Sequence, residues 1–357
     1  MKKIEFFFKN ILLKVLLIFN PVKKKGTLPV LDSKSVILFI RLNRIGDALV
    51  TTPLLHEVKK QLGCRIIVLA DKNNHFIFRN NPSIDETIIF KKGLKGILGI
   101  NKIILKKNID AVIDLHDDVS TTVSYLVALS KTRYKLGLSR SNHSIFTHNV
   151  ERLNPANNHV ILRLLKLADL FDISVNPDSV SVRYYPPEEK IIQAEVQLRK
   201  MNPRNKFLIG INISAGSKAR FWGVEKYKLM LNYISNYDIK IILFCTAEDF
   251  PLALKIGNED QIYPLIGGFD IFTAAVLKLD FLITPDTSVV QIASINKIPL
   301  FGLYVKYKTD DMIWSPFNTD YEYVITGEPT LKNISFEEVK TKLIPFLEKH
   351  INAKTNT

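Results

Sequence analysis

Cysteine is nearly missing from this 357-residue chain: only Cys64 and Cys245 occur, each inside or at the end of an apolar run. That excludes a disulfide framework and a thiolate metal site, and it fits a reducing, cytoplasmic compartment. No Asp-x-Asp pair is available to hold a divalent ion on a nucleotide, and the seven histidines show no ligand spacing on one helix, so no metal is expected. Low-complexity tracts and short-period repeats do not occur, which argues against solenoids and propellers. Acidic residues are outnumbered, 35 against 49 Lys and Arg.

What is present reads as an ordinary folded chain. The hydrophobic fraction is 46% and the charged fraction 24%, and the length calls for two cores rather than one. The formal charge of +14 asks for an acidic partner: nucleic acid, an anionic membrane surface or a phosphorylated substrate. Its distribution helps to choose among them. Lys2, Lys3, Lys9, Lys14, Lys23, Lys24 and Lys25 stand against Glu5 alone in the first 25 residues, interleaved with Phe6 to Phe8, Ile11 to Leu13 and Val15 to Phe19. This run is too short and too charged to span a bilayer, and it reads as an amphipathic segment lying on a membrane surface. A signal peptide would need a small-residue cleavage site where Asn20, Pro21 and lysines stand. No nucleic-acid-binding motif accompanies the charge.

From residue 36 onward, unbroken apolar runs alternate with helical stretches. Strands are expected at 36–40, 65–70, 87–90 and 111–115, with a helix at about 157–171. After a proline-containing passage the alternation restarts, with strands at 207–213, 241–244, 281–284 and 299–303 and a helix at about 224–234. Continuous apolar strands imply parallel sheets covered on both faces. The fold class is therefore α/β: two Rossmann-like doubly wound domains facing a cleft.

Ligands of such sheets sit beyond the carboxyl ends of the strands, near helix N-termini. Three constellations follow strands. The first runs from Arg41 through Arg44, Gly46 and Asp47; on spacing alone Asp47 could simply cap a helix. The second, Ser214 to Trp222, carries Lys218 and Arg220. The third, Thr284 to Ala293, holds Asp286, Thr287, Ser288 and Gln291. Together they offer small residues, cations and a helix start to one anion. A dinucleotide-dependent dehydrogenase ranks well below, since no Gly-x-Gly-x-x-Gly loop follows the first strand.

Across about residues 36–320 the sequence resembles glycosyltransferase family 9, the bacterial heptosyltransferases. The marks are Gly46 and Asp47 followed by Thr52 and Pro53, Arg220 two before Trp222, the Asp286, Thr287, Ser288 turn, then Phe301, Gly302, Trp314 and Pro316. The resemblance implies the GT-B glycosyltransferase fold and inverting, metal-independent transfer of heptose from ADP-heptose, with no cofactor. The acceptor would be a lipid-linked saccharide of the lipopolysaccharide core, and the enzyme would be cytoplasmic and peripheral on the inner membrane; a paralogue using another nucleotide sugar, or a non-catalytic binding protein, is the alternative. Domains follow: 1–30 as membrane-surface segment, 31–175 as acceptor domain, 176–205 as linker, 206–330 as donor domain and 331–357 as helix and tail.

The resemblance also distributes roles. Asp47 matches the family's base, which takes the proton of the attacking hydroxyl. Arg220 matches a cation on the leaving diphosphate, with Lys218 as a second and with Asp286, Thr287, Ser288 and Gln291 beside it. Glu248 or Asp249 falls where the family holds the nucleotide ribose, and Gly267 borders the nucleotide. Arg44, Gly46 and His116 lie on the acceptor side. Two positions depart from the family: Gln291 stands where histidine is usual, and Gly223 where proline usually follows the tryptophan.

Overall fold

The computed structural model describes residues 11, 13–24, 26–264 and 267–355. The expected contributions of residues 1–10 and of Leu12 and Lys25 to the membrane segment lie outside the described residues. The chain forms two compact units, Met1–Tyr185 and Pro186–Thr357.

In unit 1, apolar segments pair as a six-stranded sheet: β1 (Val36–Arg41), β2 (Arg65–Ala70), β3 (Glu86–Ile89), β4 (Ala111–Asp114), β5 (Tyr134–Ser139) and β6 (His148–Glu151). The strand order is β3-β2-β1-β4-β5-β6, and every pairing is parallel. This order reverses direction between β1 and β4, which is the switch point of a Rossmann sheet. Two short helices follow β1, α1 (Ile45–Leu49) and α2 (Thr52–Leu62). Pro53 near the start of α2 and Gly63 at φ +64 after it supply its start and stop.

Further along come α3 (Leu94–Lys106), α4 (Thr121–Leu129) and α5 (Val160–Leu165). One face of the sheet, with Leu38, Ile40, Ile67, Leu69 and Val112, is covered by Ile100 and Ile104 of α3 and by Val123, Leu126 and Val127 of α4. Residues 13–19 are helical, and Leu13 and Leu17 join the same apolar cluster. No helix among the described residues is long and apolar enough to cross a membrane.

Unit 2 opens inside the stretch read as a linker, whose second half is in fact α6 (Glu188–Met201). Ala194 and Leu198 bury its inner side, so four prolines around it do not make this passage irregular. Then follow β7 (Phe207–Asn212), α7 (Val224–Ile234), β8 (Ile239–Phe244), α8 (Phe250–Ile256), α9 (Gly268–Val276), β9 (Phe281–Pro285), α10 (Ser288–Ala293), β10 (Leu300–Val305), β11 (Tyr321–Thr326) and α11 (Phe336–Thr355). The order β11-β10-β9-β7-β8, parallel throughout, has its switch point between β7 and β9. Trp222 is fully buried, stacks edge-on against Tyr227 and donates its indole N–H to Ile334 O at 2.9 Å. Val339, Leu343 and Leu347 of α11 close the same core.

Candidate functional site

Each unit gathers its polar residues at its own switch point. In unit 1, Asn43 adopts φ +85, a left-handed turn that asparagine tolerates, and the chain bends from β1 into α1. The helix starts after Arg44, which stands at the N-cap position without a side-chain cap bond. Asp47 is therefore the third helical residue and not the cap. Its carboxylate Oδ1 accepts from Arg41 Nη2. Arg41 is 1% exposed and also donates from Nε to Asp47 O at 2.9 Å and from Nη1 to Leu115 O at 2.6 Å. Burial pushes the Arg41 guanidinium below its ordinary range, opposed by the Asp47 charge. Asp47 remains 25% exposed, and among the described residues its Oδ2 has no hydrogen-bond partner. A carboxylate fixed on one oxygen and open on the other can accept a proton from a bound hydroxyl. Gly46 sits half-buried in α1, and Arg44 is exposed.

Across the switch point, Asp114 ends β4 fully buried. It accepts from His116 Nδ1 at 2.8 Å and from Arg140 Nη2 at 2.6 Å. Burial alone would raise the Asp114 carboxyl, but Arg140 and His116 outweigh it and hold it down at about 2. Burial pushes His116 the other way from Asp114, below the ordinary histidine range. The remaining ring nitrogen, Nε2, is buried without a partner. Next along, Asp117 holds Arg152 at 2.7 Å and Arg163 at 2.9 Å. This aspartate is structural: Arg163 is 1% exposed and Asp117 neutralises it.

In unit 2, Asn212 at the end of β7 is the hub. It donates to Ser214 O at 3.0 Å and Thr284 Oγ1 at 2.9 Å, so it ties the ends of β7 and β9. Thr287 caps α10, accepting from Val289 N at 3.2 Å, and Ser288 opens that helix half-buried. Arg220 Nη2 pairs with Asp286 Oδ2 at 3.1 Å and Nη1 donates to Asp286 O at 3.2 Å. Asp286 thus holds the cation and leaves any anion to Arg220. Lys218 is exposed. Asp249 accepts from Ser214 Oγ at 2.5 Å and Thr246 Oγ1 at 3.1 Å, which joins two loops, whereas Glu248 is exposed. Gly267 takes φ +78 before α9, where a Cβ would meet Ile271 Cδ1 at 1.9 Å.

Gln291 is 1% exposed. Its amide donates to Trp314 O and Ser315 O, both at 3.2 Å, and so fixes the strand-connecting segment after β10. The residue expected among the donor-binding groups is thus enclosed, with both of these amide hydrogen bonds going to backbone carbonyls. Gly223 has φ +121, a conformation closed to proline. Among the described residues, no cluster of three or more His, Cys, Asp or Glu could hold a metal ion. Sequence reading missed Arg41 as the partner of Asp47, Asn212 and the Asp114–Arg140 pair; a charged or amide side chain closing an apolar strand was the available signal.

Two parallel doubly wound units, each with a polar switch point, match the architecture of the GT-B fold. Residues 97–343 match glycosyltransferase family 9 (heptosyltransferase), and the chain belongs to that family. Asp47 lies outside the matched range. The lipopolysaccharide core heptosyltransferase OpsX of Haemophilus influenzae is 22% identical over 302 residues, 80% of this chain and 83% of that protein. A glycosyl transferase family 9 structure from Veillonella parvula superposes with a TM-score of 0.75 at 21% identity, covering 90% of this chain and 99% of that one. Escherichia coli heptosyltransferase WaaC with ADP gives 0.67 at 14% identity, over 88% and 98%.

Proposed function

We propose that this glycosyltransferase moves a heptose from ADP-heptose, with inversion, onto a hydroxyl of a lipid-linked saccharide of the lipopolysaccharide core, at the cytoplasmic surface of the inner membrane. The observation that carries the mechanism is the Asp47 carboxylate, pinned through Oδ1 by buried Arg41 while Oδ2 stays open. In this reading Asp47 Oδ2 takes the proton as the acceptor oxygen attacks the anomeric carbon from the face opposite the leaving ADP. Arg220, the backbone N–H groups at Thr287 and Ser288, and Lys218 stabilise charge that builds on the diphosphate. Arg220 has to trade Asp286 for phosphate. Of the two ribose candidates we favour Glu248, because Asp249 is occupied by Ser214 and Thr246. Gly267 lets the backbone approach the nucleotide. Arg44, Gly46 and His116 serve the acceptor side.

OpsX is named for lipopolysaccharide core heptosyl transfer and WaaC was solved with ADP, which supports the choice of sugar and nucleotide. The test is a thermal-shift screen of nucleotide sugars, since a ligand that binds only the folded state raises its midpoint. ADP-heptose should stabilise the protein more than UDP- or GDP-sugars, and NMR of the product should show inverted anomeric configuration. Stabilisation by a uridine or guanosine sugar alone would remove ADP-heptose from the proposal.

A further inference from the structure

Among the described residues of unit 1, every large apolar side chain that stands exposed lies in residues 11–30 or 89–105. In the first segment Phe19 is 78% exposed and Ile18 74%. In the second, Leu98 is 53% and Leu105 57% exposed. Both segments bury their opposite sides in one cluster, through Leu13 and Leu17 on one hand and Ile100 and Ile104 on the other. They therefore cover the same face of the sheet.

Helix α3 carries two apolar faces. At 100° per residue, Ile100 and Ile104 point inward, while Leu98 and Leu105 fall within about 20° of each other on the outer side, flanked by Lys95, Lys102 and Lys106. From residue 91 to 107 the chain has six lysines and no acidic residue. Lys92 and Lys107 are partnered by Asp71 and Glu86, but among the described residues Lys95, Lys102 and Lys106 have no acidic partner. A solvated helix face ordinarily mixes charge signs and spares leucine. Leucines beside unpaired lysines match a surface that is apolar below and anionic above.

We propose that α3 is a second membrane-docking element, lying in the plane of an anionic bilayer with Leu98 and Leu105 inserted and Lys95, Lys102 and Lys106 at the headgroups, beside the N-terminal segment. Two contacts on one sheet face fix the orientation of unit 1 on the membrane, which a single contact does not. This rests on the reading of the chain as a membrane-surface enzyme.

The experiment is co-sedimentation of the full chain with phosphatidylcholine vesicles, with and without a quarter phosphatidylglycerol. Leu98→Glu/Leu105→Glu should lower partition onto anionic vesicles by roughly tenfold or more. Lys95→Gln/Lys102→Gln/Lys106→Gln should abolish most of the preference for phosphatidylglycerol, and Leu98→Trp should strengthen binding. Thermal midpoints near wild type show that the variants fold, and the tryptophan variant reports by gain should the glutamates disturb the helix. Wild-type partition in all three variants, while Ile18→Glu/Phe19→Glu still releases the protein, overturns α3 docking alone. No vesicle binding by the unmodified chain overturns the membrane reading and this inference together. A monomer shift on size exclusion in the leucine variant, with partition unchanged, assigns the face to a second copy and overturns the proposal.

Discussion

Replacing Asp47 with asparagine removes one negative charge beside a guanidinium that has almost no access to water. The helix loses no cap, because the N-cap position belongs to Arg44. Arg41 keeps its bonds to Asp47 O and Leu115 O. The carboxylate bond is exchanged for one to a neutral amide oxygen, and the difference between charged and neutral hydrogen bonds is about 1–2 kcal/mol. For a unit of this size that corresponds to a fall of roughly 2–8 °C in the thermal midpoint. Turnover should fall much further, by about 10²- to 10⁴-fold, the usual contribution of a positioned base. Donor affinity, read by titration calorimetry, should stay near wild type. The assay is product formation at saturating ADP-heptose and acceptor, alongside differential scanning calorimetry of both proteins. A folded Asp47→Asn protein with wild-type turnover refutes the base. A turnover loss that disappears when the assay is cooled well below the lowered midpoint refutes it equally, since the pair would then be serving stability alone.

Arg220→Ala should weaken ADP binding and lower turnover, and Lys218→Ala should do less of both; equal effects in steady-state kinetics and ADP titration would count against the assignment of Arg220. His116→Gln should flatten the acid side of the stability profile. Burial places folded His116 below its ordinary value, so as pH falls through about 6.5 the unfolded chain takes up a proton that the folded one refuses, and stability drops. An unchanged slope of denaturant midpoint between pH 7 and 5 would contradict this. Gly223→Pro restores the residue usual in the family but should lower the midpoint of unit 2 by a few degrees, because φ +121 is closed to proline; a rise on calorimetry would contradict it.

The parallel sheets were legible because strands buried on both faces must be apolar throughout, as in 36–40 and 207–211. The strands β5 and β6 escaped notice because YKLGLS and HNVE lack such runs. They are held by backbone pairing to neighbours already in place. Motif position was legible too, since the constellations had to follow strands. What each side chain touches was not. The same reasoning that put Gln291 beside a phosphate could not know that residues 314 and 315 return to cover it. Glu248 and Asp249 were inseparable by spacing, and that Asp249 already accepts from Ser214 as well as Thr246 depends on a loop distant in sequence.

The Arg220–Asp286 pair carries a consequence for selectivity. With the guanidinium already engaged by a carboxylate at 3.1 Å, phosphate arrives as a competitor in an exchange rather than as the first occupant. A single phosphate offers one charged group in exchange for Asp286, whereas a diphosphate has two, enough for the guanidinium fork and the start of α10 together. If Arg220 takes the donor's diphosphate, as proposed, the pair acts as a threshold that a ligand with one phosphate meets with fewer contacts than the donor. On the same proposed reading, the Asp286 carboxylate retakes the arginine as the nucleoside diphosphate departs, so one residue bears on both entry and release.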